Sequence, residues 1–423
     1  VPFVNIPGAK DAAGVYGTPH IRIDAYSVYA NCVPSGHFRA PGDLQVNFAV
    51  ESSMDMIAED LGLDRLEFRK QNLLKDGDWV PGGPQLEEVR VAETLAAAVK
   101  ASSWNQPKSQ PNRGLGLAVS HRLIGTGEAN TQLTLKEDGT IQVLTPVPEV
   151  GTGAHTILQQ IVAETLFLPL DQVRVETATE IFKTDSGSGA SRVTYVGGQV
   201  VQQAAGELMK LILAAGAKGL GCAENEVVFE GGRVVRSDSD GSLSLVEVAK
   251  LGGDGKSALR VKKLLNLSEG PPMTTFTAQV VELEVDPETG QIRLLDVVTA
   301  HDVGTIINPL GHQGQIEGGL LQGVGFGLLE ELRIEDGQVS TLNLGDYKLP
   351  NIRDIPPLTT VLVEEELGPA PFHGKAIGES SITPTGAAIA NAVYDAVGVR
   401  FHDLPINAEK VYWALQQHRG GKG

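Results

Sequence analysis

The chain has 423 residues, with 34 Lys and Arg against 52 Asp and Glu, so its formal net charge is −18. This charge makes it a poor candidate for binding a nucleic acid or an anionic membrane surface, because both need clustered basic residues. Two cysteines, Cys32 and Cys222, are too few for a disulfide framework or for a four-cysteine metal site built by this chain alone. With no run of about 18 apolar residues and no export signal, we expect a cytoplasmic protein of about two to four domains.

Helical stripes and hairpin turns follow one another along the chain. Apolar residues at a spacing of 3.6 predict helices, and period-2 alternation on both sides of a glycine-containing turn predicts antiparallel hairpins. This mixture favours an α+β fold over a fully parallel sheet. In chain order, the predicted elements are a helix over 50–61, a hairpin around Asp138-Gly139, helices over 157–166 and 200–209, turns at Gly231-Gly232, 286–290 and Asp336-Gly337, and a helix over 388–397.

Residues 75–112 contain many turn-forming residues and one short apolar run, from Val91 to Val99. We interpret this segment as a linker that carries one short helix. It divides the chain into an N-terminal part, 1–74, and a longer C-terminal part, 113–423.

Four glycine-bearing loops each lie ahead of a predicted helix: 35–42, 149–156, 186–191 and 374–380. Free N–H groups and the positive end of the helix dipole make helix starts suitable for anions, and glycines let a backbone approach a ligand closely. Any single loop of this kind is more often an ordinary turn or cap. Four in one chain favour a single large anionic ligand that they share. The second loop is not a dinucleotide fingerprint, because Thr156 stands where the third glycine would be.

Glu379 lies between Gly378 and Ser380 at a predicted helix start. A carboxylate there can simply cap the helix, and the functional alternative is a general base. No histidine pair has metal-ligand spacing, and neither a G-x-S-x-G nucleophile elbow nor a P-loop occurs. The residues alone leave the role of Glu379 open and predict no direct metal ligand.

Seven stretches, taken in order, match the pattern of one family. Phe38–Gln45 is similar to F-R-G-F-G-x-P-Q, Glu149–Thr156 to E-x-G-Q-G-x-x-T, and Ser188–Ser191 to a loop of small residues. Residues 302–304, 308–309 and 314–318 match D-V-G, N-P and G-Q-x-E-G, and 374–379 match G-x-K-x-x-G-E. Over nearly its whole length the chain therefore resembles the molybdenum-binding large subunit of the xanthine dehydrogenase and aldehyde oxidoreductase family, the molybdenum hydroxylases.

The resemblance implies an elongated multi-domain molybdopterin-binding fold. Residues 1–74 would be the C-terminal part of a first cofactor-binding domain, and 113–423 a second one with two α+β subdomains. The cofactor would be molybdopterin with molybdenum, the cytosine dinucleotide being one form, and Glu379 would be the base that removes a proton from a hydroxyl group on the metal. The residues implied to contact the cofactor are Arg39, Gly42, Gly151, Thr152, Gly153, Thr156, Ser188, Gly189, Ala190, Ser191, Gln315, Lys375, Ala376, Ile377 and Gly378.

The chain departs from the family pattern close to the implied site. Thr152 stands where the family usually has Gln, which should weaken one hydrogen bond to the cofactor. Xanthine-oxidising members hold a flat ring between two phenylalanines, and Pro41 and Val119, with Ser120 beside it, stand at those positions. We expect these three residues to line a substrate pocket that does not stack a purine in the same way.

The family's earlier G-G-x-F-G loop is absent, as are iron–sulfur ligands and an FAD motif. The resemblance therefore implies partner chains that supply the N-terminal half of the molybdenum subunit, 2Fe-2S centres and FAD, in a dimer of such heteromers. The reaction would hydroxylate a small molecule, an N-heterocycle or an aldehyde, with water as the oxygen source. The alternatives are a non-catalytic structural subunit, a relative that runs as a reductase, and an unrelated hydrolase with a second catalytic acid near Glu379.

Overall fold

The computed structural model describes residues 8–31, 36–81, 83–107, 110–185, 187–238, 240–252 and 259–420. Cys32 and two predicted loop residues, Ser35 and Ser186, lie outside the described residues. The helices, numbered in chain order, are α1 (Asp43–Asp60), α2 (Arg65–Asn72), α3 (Val91–Ala101), α4 (Ala154–Thr165), α5 (Gly198–Leu220), α6 (Leu245–Leu251), α7 (Pro309–Leu328), α8 (Thr385–Val397) and α9 (Ala408–Gly420). The strands are β1 (Arg113–Leu123), β2 (Gly127–Leu135), β3 (Ile141–Thr145), β4 (Val173–Thr177), β5 (Val227–Glu230), β6 (Arg233–Arg236), β7 (Ser242–Ser244), β8 (Arg260–Leu267), β9 (Thr274–Val285), β10 (Ile292–Gly304), β11 (Ile334–Glu335), β12 (Gln338–Val339) and β13 (Leu358–Glu364).

A four-stranded sheet in the order β1-β9-β10-β13, here called the central sheet, organises one α+β unit. β1 pairs antiparallel with β9 over its full length, from Arg113 opposite Glu284 to Leu123 opposite Thr274. β9 and β10 form the hairpin predicted around the turn at 286–290, which is confirmed. β13 lies parallel to β10, and because parallel neighbours need a crossover connection, α7 and the β11–β12 ribbon lie between them in the chain.

Helix α8 packs closely on β1 of the central sheet. A Cβ at Gly116 would lie 1.9 Å from the carbonyl oxygen of Ala388, and a Cβ at Gly114 would lie 2.0 Å from that of Ala392. No side chain larger than hydrogen fits at either position. These two glycines therefore set the distance between β1 and the helix that follows Glu379 in the chain.

Helix α3 lies in the segment that the sequence predicts to be a linker. Its Val91, Leu95 and Ala98 are fully buried in a core shared with β1, β9 and β10. The predicted short helix is confirmed, and it covers one face of the central sheet. The domain boundaries at 74 and 113 stay a prediction.

A buried ion network joins α1 and α2 to the central sheet. Arg69 on α2 donates to Glu51 Oε2 at 2.9 Å and to Asp55 Oδ1 at 2.6 Å, both on α1. The backbone N–H of Val119 on β1 donates to the same Glu51 oxygen at 3.2 Å. Because buried charges are stable only when paired and hydrogen-bonded, this network fixes the position of α1, which starts directly after the first glycine-bearing loop.

A second α+β unit is built on the sheet β4-β3-β2-β8. β2 and β3 form the predicted hairpin around Asp138-Gly139, and buried apolar residues of α4 and α5 pack on this sheet. The small sheet β5-β6-β7 adjoins α5, with the predicted turn at Gly231-Gly232 between β5 and β6. The last predicted turn, Asp336-Gly337, joins β11 to β12.

The α+β class with hairpin-rich mixed sheets is confirmed. The four predicted helices form as α1, α4, α5 and α8, while α7 has no counterpart among the predicted elements. Within the part of the chain that the structure describes, no helix combines the length and the apolar character needed to cross a membrane.

Candidate functional site

The four predicted glycine-bearing loops all lie next to the starts of helices. Loop one leads into α1, loop two connects the β3 region to α4, loop three precedes the π-helical turn that opens into α5, and loop four precedes α8. The parts of these loops that the structure describes are residues 36–42 for loop one, 149–156 for loop two, 187–191 for loop three and 374–380 for loop four.

Arg39 of loop one connects three structural elements of the site. Its Nε donates to the carbonyl oxygen of Gly378 in loop four at 2.6 Å. Its Nη2 donates to the carbonyl and side-chain oxygens of Gln315 on α7, at 3.2 and 3.1 Å. Gln315 Nε2 in turn donates to the carbonyl oxygen of Gly151 in loop two at 3.4 Å. Loops one, two and four are thus joined through α7.

Loop three reaches the others at Glu379. Ser191 Oγ donates to Glu379 Oε2 at 3.1 Å, and the backbone N–H of Ala40 in loop one donates to Oε1 at 3.3 Å. The Glu379 side chain is 14% exposed. Its carboxylate therefore lies where loops one, three and four meet, as a ligand shared among the loops requires.

Loop three holds two residues in a strained backbone conformation. Ala190 and Ser191 have φ values of 58° and 53°, in the left-handed region that costs a non-glycine residue roughly 1–2 kcal/mol. The backbone at Gly125 packs closely against this loop, because a Cβ there would lie 2.2 Å from the carbonyl oxygen of Ala190. Such strain collects at functional sites, and here it places the Ser191 hydroxyl beside Glu379.

A first cavity, of about 110 Å³, lies between loops two, three and four. The N-terminal residues of α4 and α7 both line it, and helix starts attract anionic groups. Asn308 caps α7 by accepting from the N–H of Gly311 at 2.8 Å. The lining residues are Thr152, Gly153, Ala154, Ile157, Ser188, Ser191, Val193, Thr194, Asn308, Gly311, His312, Gln315, Lys375, Ala376, Ile377 and Gly378.

Glu149 occupies several of the N–H groups that loop two would otherwise offer to an anion. Its Oε1 accepts from Gly151 N and Gly153 N at 2.9 and 3.1 Å, and its Oε2 accepts from His155 N at 3.0 Å. Partial burial acts to raise the pKa of the Glu149 carboxyl, but these three donors outweigh it and lower the pKa below its ordinary value. Glu149 therefore shapes loop two from within, a role that the sequence did not reveal.

Lys375 contributes no free charge to the first cavity. Its Nζ pairs with Asp302 Oδ2 at 2.7 Å, and the two side chains are 0% and 2% exposed. The same ammonium group donates to the carbonyl oxygen of Thr274 at 3.4 Å. Because its charge is satisfied in the interior, Lys375 lines the cavity without offering it an unpaired ammonium group.

Other predicted contact residues lie outside the first cavity. Gly42 forms the N-cap of α1 with a φ of 84°, and Gly189 and Ala190 line a second cavity instead. Thr156 is exposed on α4 and lines neither cavity. Among the described residues, no group of three or more His, Cys, Asp and Glu side chains is placed to hold a metal ion.

The second cavity, of about 980 Å³, has Glu379 and Pro41 in its wall. Val119 and Ser120, predicted with Pro41 to line a substrate pocket, are 0% and 2% exposed and do not line it. Both faces of β1 are covered along this stretch, so the strand reaches the cavity only where it ends, at Arg122 and Leu123. The structure thus brings Pro41 to Glu379 but leaves Val119 and Ser120 in the interior.

Arg122 forms an ion pair with Glu379 that the sequence did not indicate. Its Nε and Nη2 donate to Glu379 Oε2 at 3.0 and 2.7 Å, and its Nη1 donates to Asp43 Oδ2 at 2.7 Å. Arg122 and Glu379 are separated by 257 positions in the chain. A single arginine at the end of a strand matches no motif, so no sequence signal could have paired it with Glu379.

Asp43 has further titratable neighbours. Burial raises the pKa of Asp43 to about 7, although the positive charge of Arg122 opposes this shift. Burial also raises the pKa of Asp11, which forms a hydrogen bond with Asp43. His121 Nε2 lies 3.6 Å from Asp11 Oδ1, and burial lowers the His121 pKa to about 4. The imidazole of His121 is therefore neutral at pH 7.

Comparisons of the sequence identify related proteins. Two family models, both described as molybdopterin cofactor-binding domains, match residues 88–356 and 2–73. The chain is 31% identical over 431 residues to the xanthine dehydrogenase molybdenum-binding subunit of Escherichia coli O157:H7. This alignment covers 96% of the present chain and 56% of the Escherichia coli subunit. The chain is also 30% identical over 445 residues to the 6-hydroxypseudooxynicotine dehydrogenase complex subunit gamma of Paenarthrobacter nicotinovorans, over 98% of the chain and 56% of that protein. The chain thus spans about half the length of the curated relatives it matches.

Solved structures extend the likeness to the fold. Quinoline 2-oxidoreductase from Pseudomonas putida aligns with a TM-score of 0.88 and 25% identity, over 99% of this chain and 58% of that one. The aldehyde oxidoreductase from Desulfovibrio desulfuricans aligns with a TM-score of 0.80 and 26% identity, over 97% of this chain and 44% of that one. Both alignments run over nearly the whole chain.

Proposed function

Because the chain belongs to the molybdopterin-binding large subunits of the xanthine dehydrogenase and aldehyde oxidoreductase family, we propose that it is the catalytic part of a molybdenum hydroxylase. The reaction is the oxidative hydroxylation of an N-heterocycle or an aldehyde, with water as the oxygen source. The observation that carries this proposal is the meeting of loops one, three and four, distant in the sequence, at the carboxylate of Glu379, with loop two joined to them through Gln315.

The lining of the first cavity suits the hydrogen-bonding edges and anionic phosphate of molybdopterin, although its volume of about 110 Å³ would hold only part of the cofactor. Nε2 of His312 is buried there and has no hydrogen-bond partner among the residues that the structure describes, so it can bind a polar ligand group. The Cβ position of Gly153 is open for 4 Å around, which lets a ligand approach its backbone. We propose that the lining residues hold the cofactor as its cytosine dinucleotide. When bound, it supplies the two-electron redox chemistry of the reaction.

Glu379 is proposed as the general base. Its Oε2 accepts three hydrogen bonds, two from Arg122 and one from Ser191, whereas its Oε1 accepts one, from Ala40 N at 3.3 Å. Oε1 therefore keeps a lone pair with which to accept a proton. The shape of the loops fixes the direction of the carboxylate, so little reorganisation is needed when the proton moves.

The proposed substrate binds in the second cavity, which Glu379 lines. Apolar side chains of Phe38, Pro41, Leu123 and Met273 supply contacts for a ring or an aldehyde side chain. Phe38 is the one Phe, Tyr or Trp among the described residues of this lining. A purine sandwiched between two phenylalanines therefore has no counterpart here, which favours a different heterocycle or an aldehyde.

We propose that electrons leave the site through partner subunits that carry 2Fe-2S centres and FAD. The chain has two cysteines, fewer than the four thiolates that an iron–sulfur centre commonly needs. One relative is named as the subunit of a dehydrogenase complex. The remaining length of the relatives would be supplied by a partner chain or by another part of the same protein, and two such assemblies would form a dimer.

The test is molybdenum and pterin analysis of the complete protein, together with the variant Glu379→Gln. We expect both proteins to contain metal and cofactor and turnover of the variant to fall by about 10²–10⁴-fold, the usual contribution of a general base. Glu288→Gln, on the exposed β9–β10 turn, is the matched control and should keep its turnover. Absence of molybdenum and pterin from the wild type would refute the function, and unchanged turnover of Glu379→Gln would refute the base.

A further inference from the structure

The guanidinium of Arg122 lies between two carboxylates. On one side it donates from Nε and Nη2 to Glu379 Oε2, at 3.0 and 2.7 Å, and on the other from Nη1 to Asp43 Oδ2 at 2.7 Å. The side chains of Arg122, Glu379 and Asp43 are 16%, 14% and 1% exposed. Charge-assisted hydrogen bonds of this length and burial hold both partners in one geometry.

Arg122 is itself anchored. It lies near the end of β1, where Thr275 Oγ1 of β9 donates to its carbonyl oxygen at 3.2 Å. Asp43 forms the first turn of α1, whose position is fixed by the buried Arg69 network. The guanidinium is therefore held from both ends, by its own strand and by the start of α1.

The hydrogen bonds on Glu379 are unevenly distributed because of Arg122. Nε and Nη2 of Arg122 both donate to Oε2, which also accepts from Ser191 Oγ. Oε1 has the single bond from Ala40 N, the longest of the four at 3.3 Å. Without Arg122, the carboxylate would keep two neutral donors, one for each oxygen, so the excess of hydrogen bonds on Oε2 would be lost.

The charged and titratable groups facing Arg122 come from four elements. The charged groups are Glu379 from loop four, Asp43 from α1 and Asp11 from the N-terminal 3₁₀ helix, and the titratable but neutral His121 lies beside Arg122 on β1. Lys10 acts on Asp11 from the same 3₁₀ helix. Three carboxyl groups thus surround one guanidinium. Arg122 is therefore shared among them and does not pair with Glu379 alone.

We propose that Arg122 is a positioning residue for Glu379, shared with Asp43, which holds Oε2 and leaves Oε1 to accept the proton. This inference rests on the proposed function only for the identity of the reaction. An arginine that merely neutralised buried acids would stabilise the fold but would not change how the active carboxylate is oriented or when it takes up a proton.

The test compares Arg122→Gln with Arg65→Gln in the complete protein. Arg65 is a matched control because it is also partly buried and bridges two carboxylates, Asp55 and Asp395, away from Glu379. For Arg122→Gln we expect kcat to fall by about 10–100-fold, the range for residues that orient a catalytic ligand. We also expect the acidic limb of the kcat/KM profile to move up by about one pH unit, since a carboxylate that loses a nearby cation takes up a proton more readily.

Two further variants keep the proposal testable if Arg122→Gln folds poorly. Arg122→Lys retains the charge without the fork and should restore part of kcat and most of the pH limb. The double variant Asp43→Asn with Arg122→Gln removes one buried acid together with the cation, and it should show the same shifted limb as Arg122→Gln. A profile and kcat within about twofold of Arg65→Gln in all these variants would overturn the proposal.

A crystal structure of the Arg122→Gln protein gives a readout independent of turnover. A Glu379 carboxylate that has rotated so that Oε1 and Oε2 no longer keep their partners supports the positioning role, and an unmoved carboxylate overturns it. If the wild-type protein contains no molybdenum, the proposed function fails, but the crystal structure still decides whether Arg122 positions Glu379.

Discussion

The Asp43 carboxyl is 1% exposed, and burial raises its pKa to about 7 even though Arg122 attracts its ionised form. The ordinary value for an aspartate is about 4. Between these two pH values the folded protein keeps a proton that the unfolded chain has released. The free energy of unfolding therefore falls as pH rises through this window, and the stability that the proton contributes is complete below it and lost above it.

Asp43→Asn cannot ionise, so it avoids this loss. We expect the Tm of the variant, relative to that of the wild type, to increase as pH rises from about 4 to about 7 and to level off above that range. Differential scanning calorimetry at a series of pH values measures this difference. Asp60→Asn removes an exposed carboxylate from the same helix and should follow the wild-type curve, whereas a relative Tm of Asp43→Asn that is flat or falls with pH would contradict the argument.

Motifs locate some site residues and miss others for a physical reason. Arg39, Gln315 and Gly378 lie in ordered motifs, and the structure joins them by direct hydrogen bonds. Arg122 has no such signature, because its role depends on the end of β1 lying beside loop four, a contact set by the whole fold. The burial of Val119 is likewise a property of the layers on both sides of β1, which a residue-type pattern does not encode.

Helix α7 shows the same limit at the level of an element. Its stretch Pro309–Leu328 contains seven glycines, and each glycine inside a helix costs about 1 kcal/mol relative to alanine, so local propensity predicts no helix there. Tertiary packing explains the composition. A Cβ at Gly319 would lie 1.9 Å from Ser381 Oγ, and one at Gly323 would lie 2.5 Å from Thr385 Cβ. By contrast α4, α5 and α8 were predictable, because each keeps an apolar stripe facing a core. Helix α1 forms as predicted although Ile57 and Leu61 of its apolar stripe are exposed, because its buried face carries the ion network.

The close approach of α8 to β1 makes a prediction about glycine. Gly116→Ala would put a Cβ 1.9 Å from the carbonyl oxygen of Ala388, so helix and strand must move apart. We expect a loss of about 1–3 kcal/mol in the free energy of unfolding, the usual cost of overpacking. Urea unfolding followed by circular dichroism measures it.

The matched control for this substitution is Gly206→Ala in α5. No atom lies within 4 Å of its Cβ position, and alanine is the better helix former, so this variant should gain up to about 1 kcal/mol. Opposite signs for the two substitutions are the expected result. A neutral Gly116→Ala would mean that α8 is not held against β1 as closely as these distances require.

At the scale of the whole molecule, two segments without helix or strand carry exposed apolar side chains. Residues 18–31 include Tyr26, Val28 and Tyr29, which are 84%, 81% and 98% exposed, and residues 340–357 include Leu342 and Ile352, at 80% and 83%. Exposed apolar surface of this extent is typical of a face that another polypeptide covers. The net charge of −18 acts in the opposite direction, because it makes copies of the chain repel one another.

These two effects predict how the isolated chain behaves with salt. We expect it to bind the dye ANS and to melt over a broad temperature range. We also expect it to aggregate more as the salt concentration rises from about 0.1 to about 1 M, because the Debye length then shortens from about 10 to about 3 Å and the repulsion between copies is screened. Light scattering and calorimetry measure both properties. The variant with Tyr29→Ser and Ile352→Ser, which removes apolar surface and leaves the charge unchanged, should scatter less light at high salt. A sharp, cooperative melt of a monomer that binds no ANS would show that these segments need no partner.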